Sequence, residues 1–300
     1  MKHLPYTAHS FFTLVALLSL QALIAIDVST AVSVGELLDK ITILQIKQQR
    51  IKTPSKQANI TLELTTLEKV YTANVPVSNE IETALQELRT INESLWDLED
   101  AIRLKESQLC HDETFKQIAA TIIKQNDARA RTKATINSLT NSTIVEEKSY
   151  KEMAHHRVNT STKSVVVAIE IPFAELIDKI TILEVKKENI TDEQKLANIE
   201  TELIILSNKR ENVCTMTEEL AAHTNALRIS NRTMFHIQDA IREKIRSHAL
   251  DTEFAHLARS VYITNDERCR IKRLINDLVG SHLVEEKEYT PYACDELLAA

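Results

Sequence analysis

Glycine is the residue that this sequence uses least, with two copies in 300 residues. Average composition would supply about twenty. Tight hairpin turns, glycine-rich phosphate loops and dinucleotide-binding fingerprints all depend on glycine, because it adopts positive φ values at little steric cost and lets the backbone approach a ligand closely. The scarcity of glycine therefore argues against all-β folds and Rossmann-type enzymes.

The sequence also lacks an excess of positive charge. It contains 36 Lys and Arg residues against 43 Asp and Glu residues, which gives a net charge of −7. Proteins that hold nucleic acids or acidic membranes by charge need a basic surface, so we predict no nucleic-acid partner. Hydrophobic residues make up 43% and charged residues 26% of the chain, proportions that are typical of a folded globular protein.

Common catalytic and metal-binding motifs are missing as well. No His-Glu-x-x-His, Cys-x-x-Cys, Gly-x-Ser-x-Gly or Walker sequence occurs, so the usual zinc, nucleophilic and phosphate-loop chemistries have no basis here. We therefore predict no catalytic residue, no cofactor and no metal, and the sequence favours a protein that is not an enzyme.

What the sequence does contain is a long internal repeat. The segment Glu36–Leu44 reappears almost unchanged as Glu175–Leu183, 139 residues later, and the same offset relates Asp100–Arg103 to Asp239–Arg242. The repeated unit has the length of a whole domain, so each unit is expected to have its own core. The predicted boundaries are 1–31 for a hydrophobic N-terminal segment, 32–150 for the first repeat, 151–166 for a linker, 167–292 for the second repeat and 293–300 for a tail.

Within each repeat the apolar residues recur at the three- and four-residue steps of amphipathic helices. Ser33 followed three residues later by Glu36 predicts a capping box at the first helix, and the last helix should end at a left-handed residue, Asn141 or Gly280. Short connections then predict an all-α fold of two tandem antiparallel helical bundles, each with about four helices. Val165–Ile169 is consistent with a short strand before the second bundle. The helices predicted in the first repeat span about 35–52, 55–72, 78–107 and 112–139.

Residues 1–31 lie outside the repeat and are similar to a secretory signal peptide. Lys2 and His3 precede an apolar run, Phe11–Ile26, and Ser29-Thr30-Ala31 offers a small-residue cleavage site. The run is too short for a permanent transmembrane helix, so we expect no integral membrane segment in the mature chain. On this interpretation the protein is secreted or periplasmic. If the segment is instead a helix packed on the bundle, the protein is cytoplasmic.

Polar residues occupy positions that should be apolar on helices of both repeats. On the last helix, the core stripe that starts at Phe115 continues through polar residues, and on the third helix a polar sector lies beside the apolar face. Asp39, which lies between two apolar faces of the first helix, is a third polar position of this kind. The candidate ligand-binding residues are Asp39, Asn92, Asp100, Arg103, Asn126, Arg129 and Lys133 in the first repeat, and Asp178, Asn231, Asp239, Arg242, Asn265, Arg268 and Lys272 in the second.

Two hypotheses explain these residues, because a buried charge must be paired or must bind something. In the first, the aspartates Asp39 and Asp100 pair with cationic side chains of their own repeat. In the second, the same residues line a cleft for an anionic or hydroxylated ligand, since Arg offers a bidentate fork and Asn offers both a donor and an acceptor. Asp127 and Arg131 point away from the stripe, so we predict a solvated face there. The acidic pair within Val145–Lys148 either pairs with the basic stripe or is solvated.

Several of these segments resemble a bacterial family catalogued as domain of unknown function 6165. The resemblance covers both repeats, and it rests on Val32–Lys47, Asn92–Lys105, Asn126-Asp127 and Val145–Tyr150. Members of that family are typically single domains, sometimes fused to or encoded near glycosyltransferases of cell-envelope polysaccharide synthesis. The resemblance therefore implies an association with that process and no defined activity. This sequence departs from the family pattern in being tandem and in having an apparent signal peptide.

From the sequence we favour a noncatalytic helical binding or scaffold protein, with a protein partner or a small anionic or sugar ligand. The alternative is an enzyme or ligand-binding protein that acts on a sugar or anionic metabolite through an Asp/Arg/Asn cleft. A close-fitting pocket would favour the alternative and a solid interior the first interpretation. The residues expected around such a pocket are Asn92, Asp100, Arg103 and Arg129.

Overall fold

The computed structural model describes residues 26, 28–144, 164–281, 283, 285 and 286. The apolar run of the predicted signal peptide, apart from its last residue, lies outside the described residues, as do most of the predicted linker and the tail 293–300. None of the helices in the described part of the chain is long and apolar enough to cross a membrane.

Each repeat consists of one short strand followed by four helices. In the first repeat these are β1 (Val28–Val32), α1 (Val34–Arg50), α2 (Pro54–Asn74), α3 (Asn79–Ser107) and α4 (Glu113–Leu139). In the second they are β2 (Val167–Ile171), α5 (Phe173–Asn189), α6 (Glu193–Val213), α7 (Glu218–Arg246) and α8 (Thr252–Val279). The prediction of an all-α fold with two tandem four-helix units is confirmed, and the predicted helix ends lie within about two residues of the observed ones.

A strand precedes the helices of each repeat, and β1 begins before the predicted boundary at residue 31. The strand expected before the second repeat is present as β2, two residues later than its predicted start. The sequence prediction misses its counterpart β1, because a boundary at residue 31 assigns those residues to the signal peptide. Cleavage after Ala31 would remove four of the five residues of β1, including the fully buried Val28. A chain that keeps the whole of β1 therefore begins at or before Val28.

Local sequence signals set the helix ends. Ser33 Oγ accepts a hydrogen bond of 3.1 Å from the backbone N–H three residues later, as the capping box predicts. Asn141 and Gly280 have φ values of 46° and 64°, so the predicted left-handed residues at the ends of α4 and α8 are confirmed. Leu109 and His248 are also left-handed, in the turn before the last helix of each repeat. A chain with so little glycine thus accepts some backbone strain in its turns.

The two strands pair with each other and relate the repeats by a local two-fold axis. They are antiparallel, with Val28 opposite Ile171 and Thr30 opposite Ile169. Thr30 and Ile169 are equivalent positions in the two repeats, so the axis passes through this pair. β2 packs on α2 of the first repeat, and β1 packs on α6 of the second. The repeats are therefore arranged like the two subunits of a symmetric dimer.

The two repeats share their hydrophobic cores, and the prediction of a separate core in each repeat is wrong. One cluster joins Leu37 of the first repeat to Leu176 of the second through the paired strands. A second cluster joins Phe115 in α4 to Phe254 in α8, both fully buried. The repeated sequence shows that the unit was duplicated, but it does not show which apolar faces of the two copies pack together.

Ion pairs across the local axis are reciprocal. Lys40 Nζ lies 2.8 Å from Glu175, and the equivalent Lys179 Nζ lies 2.5 Å from Glu36. None of these four side chains is more than 20% exposed. Burial alone would lower the pKa of Lys40, but the carboxylates of Glu175 and Glu63 outweigh burial and raise that pKa well above its usual value. The paired charges thus fix α1 of one repeat against α5 of the other.

One glycine marks a close contact between helices. Gly35 at the start of α1 lies against α4, and a Cβ there would be 2.5 Å from the Lys133 carbonyl oxygen and 3.0 Å from Asn137 Oδ1. We expect Gly35→Ala to lower the free energy of unfolding by about 1 to 3 kcal/mol, because the backbone of α4 would have to move. Urea denaturation followed by circular dichroism measures this change.

The second repeat supplies the control for this substitution. Its equivalent residue, Ala174, is fully buried, and its N–H donates to Asn276 Oδ1 at 2.8 Å, as the Gly35 N–H donates to Asn137 Oδ1 at 2.7 Å. Ala174→Gly should cost about 1 to 2 kcal/mol, because it removes a buried methyl group and lowers the helix propensity without moving the backbone. If the Gly35→Ala protein is as stable as the wild type, α1 and α4 can move apart to admit the methyl group without loss of stability.

Candidate ligand-binding site

Asp39, on α1, is the centre of a closed polar cluster in the first repeat. Its side chain is 5% exposed, and Arg129 of α4 holds both carboxylate oxygens, through Nε at 2.8 Å and Nη2 at 2.5 Å. Asn92 of α3 donates to Asp39 Oδ1 and to Thr42 Oγ1, each at 2.9 Å. Lys133 Nζ adds a second cation 3.9 Å from Asp39 Oδ2. Three helices therefore meet at one carboxylate.

The second repeat builds the same cluster around Asp178. Asn231 donates to Asp178 Oδ1 at 2.9 Å, and Arg268 Nη2 lies 3.1 and 2.9 Å from the two carboxylate oxygens. Lys272, the counterpart of the lysine beside Asp39, forms an ion pair of 2.8 Å with Glu285. In this repeat one acidic residue after the last helix, Glu285, therefore pairs with the basic stripe. The acidic pair within Val145–Lys148 of the first repeat lies outside the described residues.

Asp39 and Asp178 thus lie in internal networks of the kind that the first hypothesis describes, but Asp100 and Asp239 are not members of these networks. Burial alone would raise the pKa of Asp39 and of Asp178, but the neighbouring arginine and lysine outweigh burial, so each pKa lies below its usual value. Asp100 is only half-buried and its counterpart Asp239 is exposed. Asp100 lies eight residues beyond Asn92, about 12 Å along α3, which is too far to reach the cluster.

The lowered pKa values predict acid sensitivity. A carboxylate whose pKa is lower in the folded state contributes stability that is complete above its unfolded pKa, about 3.9 for Asp, and is lost as the pH falls through the folded pKa. We expect the urea midpoint to fall steeply below about pH 4. In the Asp39→Asn variant the midpoint should depend less on pH. A midpoint that stays constant in this acidic range would contradict the assigned ion pairs.

Arg103 and Arg242 bind aspartates of the opposite repeat. Arg103 Nη1 and Nη2 lie 3.0 and 2.7 Å from the Asp266 oxygens, and the equivalent Arg242 lies 3.4 Å from Asp127. The side chains of Asp127 and Asp266 are only 28% and 22% exposed. The pairing of Arg103 with the opposite repeat was not predicted, and the prediction that Asp127 lies on a solvated face is wrong. The cause is the packing of α4 against α8, which the sequence of one repeat does not reveal.

A cavity of about 320 Å³ lies between the two repeats beside these pairs. Helices α1, α3 and α4 of the first repeat and α7 and α8 of the second form its walls. The apolar and aromatic lining residues are Ile43, Ile46, Leu95, Trp96, Ile102, Ala119, Ile122, Ile123, Ile241, Phe254, Ala258, Val261 and Tyr262. The polar lining residues are Lys47, Asn92, Glu99, Arg103, Arg129, Asn265 and Glu285.

The cavity brings together some of the predicted ligand-binding residues and leaves out others. Those in its wall are Asn92, Arg103, Arg129 and Asn265. Those outside its wall are Asp39, Asp100, Asn126, Lys133, Asp178, Asn231, Asp239, Arg242, Arg268 and Lys272. Sequence reasoning missed Lys47, which is 9% exposed. Its position four residues after Ile43, on the second apolar face of α1, is the signal that would have found it.

Together these features define a class of protein, an all-helical tandem duplication whose two repeats enclose a cavity across a local two-fold axis. The chain belongs to the family described as "Family of unknown function (DUF6165)", which matches residues 28–165 and again residues 167–295. The family resemblance in the sequence is thereby confirmed in two copies. No curated protein and no solved structure matches the chain significantly.

Proposed function

We propose that the protein is a noncatalytic binding protein, and that its ligand is a small apolar molecule with an anionic or hydroxyl group. The observation that carries this proposal is the cavity between the repeats. Its volume of about 320 Å³ is at the lower end of the range for small-molecule sites. The mixture of many apolar walls with a few polar groups is also typical of such sites.

The apolar walls supply the driving force for binding. Side chains such as Ile43, Leu95 and Trp96 line the cavity on one side, and Phe254 and Val261 line it on the other. Each Å² of apolar ligand surface that they remove from water contributes about 25 cal/mol before the entropic costs of association. A purely hydrophilic ligand would gain little from these walls.

The polar residues supply selectivity, since their positions are fixed before a ligand arrives. Asp39 holds Arg129 and Asn92, and Asp266 holds Arg103. Guanidinium groups donate to anions and hydroxyls. Both N–H groups of Asn92 already donate to Asp39 and Thr42, so this residue offers its Oδ1 as an acceptor for a hydroxyl. Polar groups that are fixed in advance lower the entropic cost of binding. Asp39 is a poor general base, because its oxygens accept from Arg129 and Asn92 and its pKa is lowered. The arrangement therefore favours binding over catalysis.

Titration with decanoate tests the proposal, because this ligand combines an apolar chain with a carboxylate. We expect one molecule to bind per chain, measured by isothermal titration calorimetry and by the fluorescence of Trp96, the only tryptophan. Glucose and inorganic phosphate lack an apolar body and should not bind. Binding of glucose or phosphate without binding of decanoate would overturn the proposal and support the alternative of a site for a sugar or anionic metabolite.

Two matched variants locate the bound molecule. Ile43→Trp fills the cavity from α1, and Ile182→Trp makes the same change at the equivalent position of α5. Both isoleucines are half-buried, and Ile182 is not part of the cavity wall. We expect the first variant to lose decanoate binding in calorimetry and the second to keep it. Equal binding by the two variants would place decanoate elsewhere and contradict the proposed site.

A further inference from the structure

Glu106, near the end of α3, forms a buried cluster with the second repeat. Its side chain is 1% exposed and accepts hydrogen bonds from Arg259 Nε at 2.7 Å and from the Tyr262 hydroxyl at 2.5 Å, both on α8. His111 Nε2 lies 2.5 Å from the same carboxylate. Burial alone would raise the pKa of Glu106, but the hydrogen bonds from Tyr262, Arg259 and His111 outweigh burial and lower that pKa. The buried charge of Glu106 is thus stabilised by the hydrogen bonds that its partners donate.

The equivalent positions on the other side of the local axis are all apolar. Each member of the Glu106 cluster has a counterpart 139 residues away in the sequence. All four counterparts belong to the core cluster around Phe115 and Phe254 or pack against it. The replacements are Ile245 for Glu106, Leu250 for His111, Ala120 for Arg259 and Ile123 for Tyr262. The two sides of the axis therefore differ as complete sets: charged and polar residues contact each other on one side, and apolar residues contact each other on the other.

The reciprocal ion pairs across the axis do not distinguish one repeat from the other. Two first repeats, or two second repeats, packed in the same way would present the same lysine, glutamate, arginine and aspartate to each other. The pairs concerned are Lys40 with Glu175, Lys179 with Glu36, Arg103 with Asp266 and Arg242 with Asp127. These ion pairs would stabilise any pair of repeats and do not favour one combination over another.

The Glu106 cluster, in contrast, does distinguish between partners. In a pair of two first repeats, each Glu106 would face Ala120 and Ile123 in place of Arg259 and Tyr262, and would keep only His111 of its own repeat. In a pair of two second repeats, Arg259 and Tyr262 would face Ile245 and lose their acceptor. A buried charge or polar group without its partner is strongly destabilising, so both like pairs are penalised.

We propose that the Glu106 cluster selects the partner of each repeat, so that a first repeat pairs with a second repeat and like pairs are rejected. The surface formed by α3 and α4 of a first repeat is then an interface that is specific for α7 and α8 of a second repeat. Penalising the wrong pair is a general route to specificity. Here it prevents chains from associating through like repeats, and it does not depend on the identity of the ligand.

A cut full-length chain tests this selection. A protease site is inserted between residues 151 and 163, the folded protein is cut, and the mixture is unfolded in urea and refolded. Native mass spectrometry then resolves the three kinds of pair, because the two halves differ in mass. We expect only pairs of a first with a second repeat. A statistical mixture of like and unlike pairs from the wild-type protein would overturn the proposal.

Two further variants separate the cluster from other differences between the repeats. The apolar variant carries Glu106→Ile, His111→Leu, Arg259→Ala and Tyr262→Ile, and we expect like pairs to appear. The transplanted variant adds Ile245→Glu, Leu250→His, Ala120→Arg and Ile123→Tyr, and like pairs should disappear again. An apolar variant that still forms only unlike pairs would contradict the proposal. If the apolar variant does not refold, the transplanted variant decides, since like pairs there would also contradict it.

Discussion

Asp39→Ala is expected to lower the free energy of unfolding by about 3 to 5 kcal/mol. The substitution removes the carboxylate on which Arg129, Asn92 and Lys133 converge at the meeting point of three helices. The Asp39 charge then no longer offsets the repulsion between Arg129 and Lys133 or the cost of their desolvation. Urea denaturation at neutral pH, followed by circular dichroism, measures the loss.

Asp100→Ala is the matched control for this prediction. Asp100 belongs to the same repeat but is half-buried and lies outside the Asp39 cluster. Its removal should change the free energy of unfolding by less than about 0.5 kcal/mol. Equal losses from the two substitutions, or a loss below about 1 kcal/mol for Asp39→Ala, would mean that the cluster is solvated rather than closed.

Separating the repeats is expected to abolish cooperative folding of the first repeat. A chain that ends at residue 157 lacks β2, whose side chains Ile169 and Ile171 are buried in the shared core beside the first repeat. It also lacks Phe254 of the second shared cluster. The fragment would expose these apolar faces to water and lose their burial energy.

Circular dichroism and analytical ultracentrifugation of the fragment check this prediction, with the full chain as the control. We expect a broad, noncooperative transition and no discrete dimer, because two first repeats should not pair with each other. A monomeric fragment with a sharp unfolding transition would show that the first repeat has a sufficient core of its own.

The elements within one repeat follow from local sequence, which explains why most of them could be predicted. Helix ends depend on caps and on proline, as at Ser33 and Pro54, and on left-handed residues such as Asn141. Each of these signals acts over a few residues. The burial of Asp39 could also be predicted, because this residue lies between two apolar faces of an amphipathic helix.

The relation between the repeats could not be predicted in the same way. It depends on contacts such as Arg103 with Asp266 and Glu106 with Arg259, whose members are separated by more than 150 residues. A repeat pattern gives equivalent positions, but it does not say which equivalent surfaces meet. The cavity has walls from both repeats, so the sequence could indicate part of its polar lining and could not show its apolar part.

The two repeats share their cores and should unfold as one cooperative unit, which the single tryptophan can report. Trp96 lies in the first repeat against the shared core, and the Asp178 cluster lies entirely in the second repeat. Asp178→Ala should shift the urea transition seen by Trp96 fluorescence as far as the transition seen by circular dichroism, with the two curves superimposed. A fluorescence transition that stays at the wild-type midpoint while the circular dichroism curve splits into two steps would contradict this cooperative unfolding.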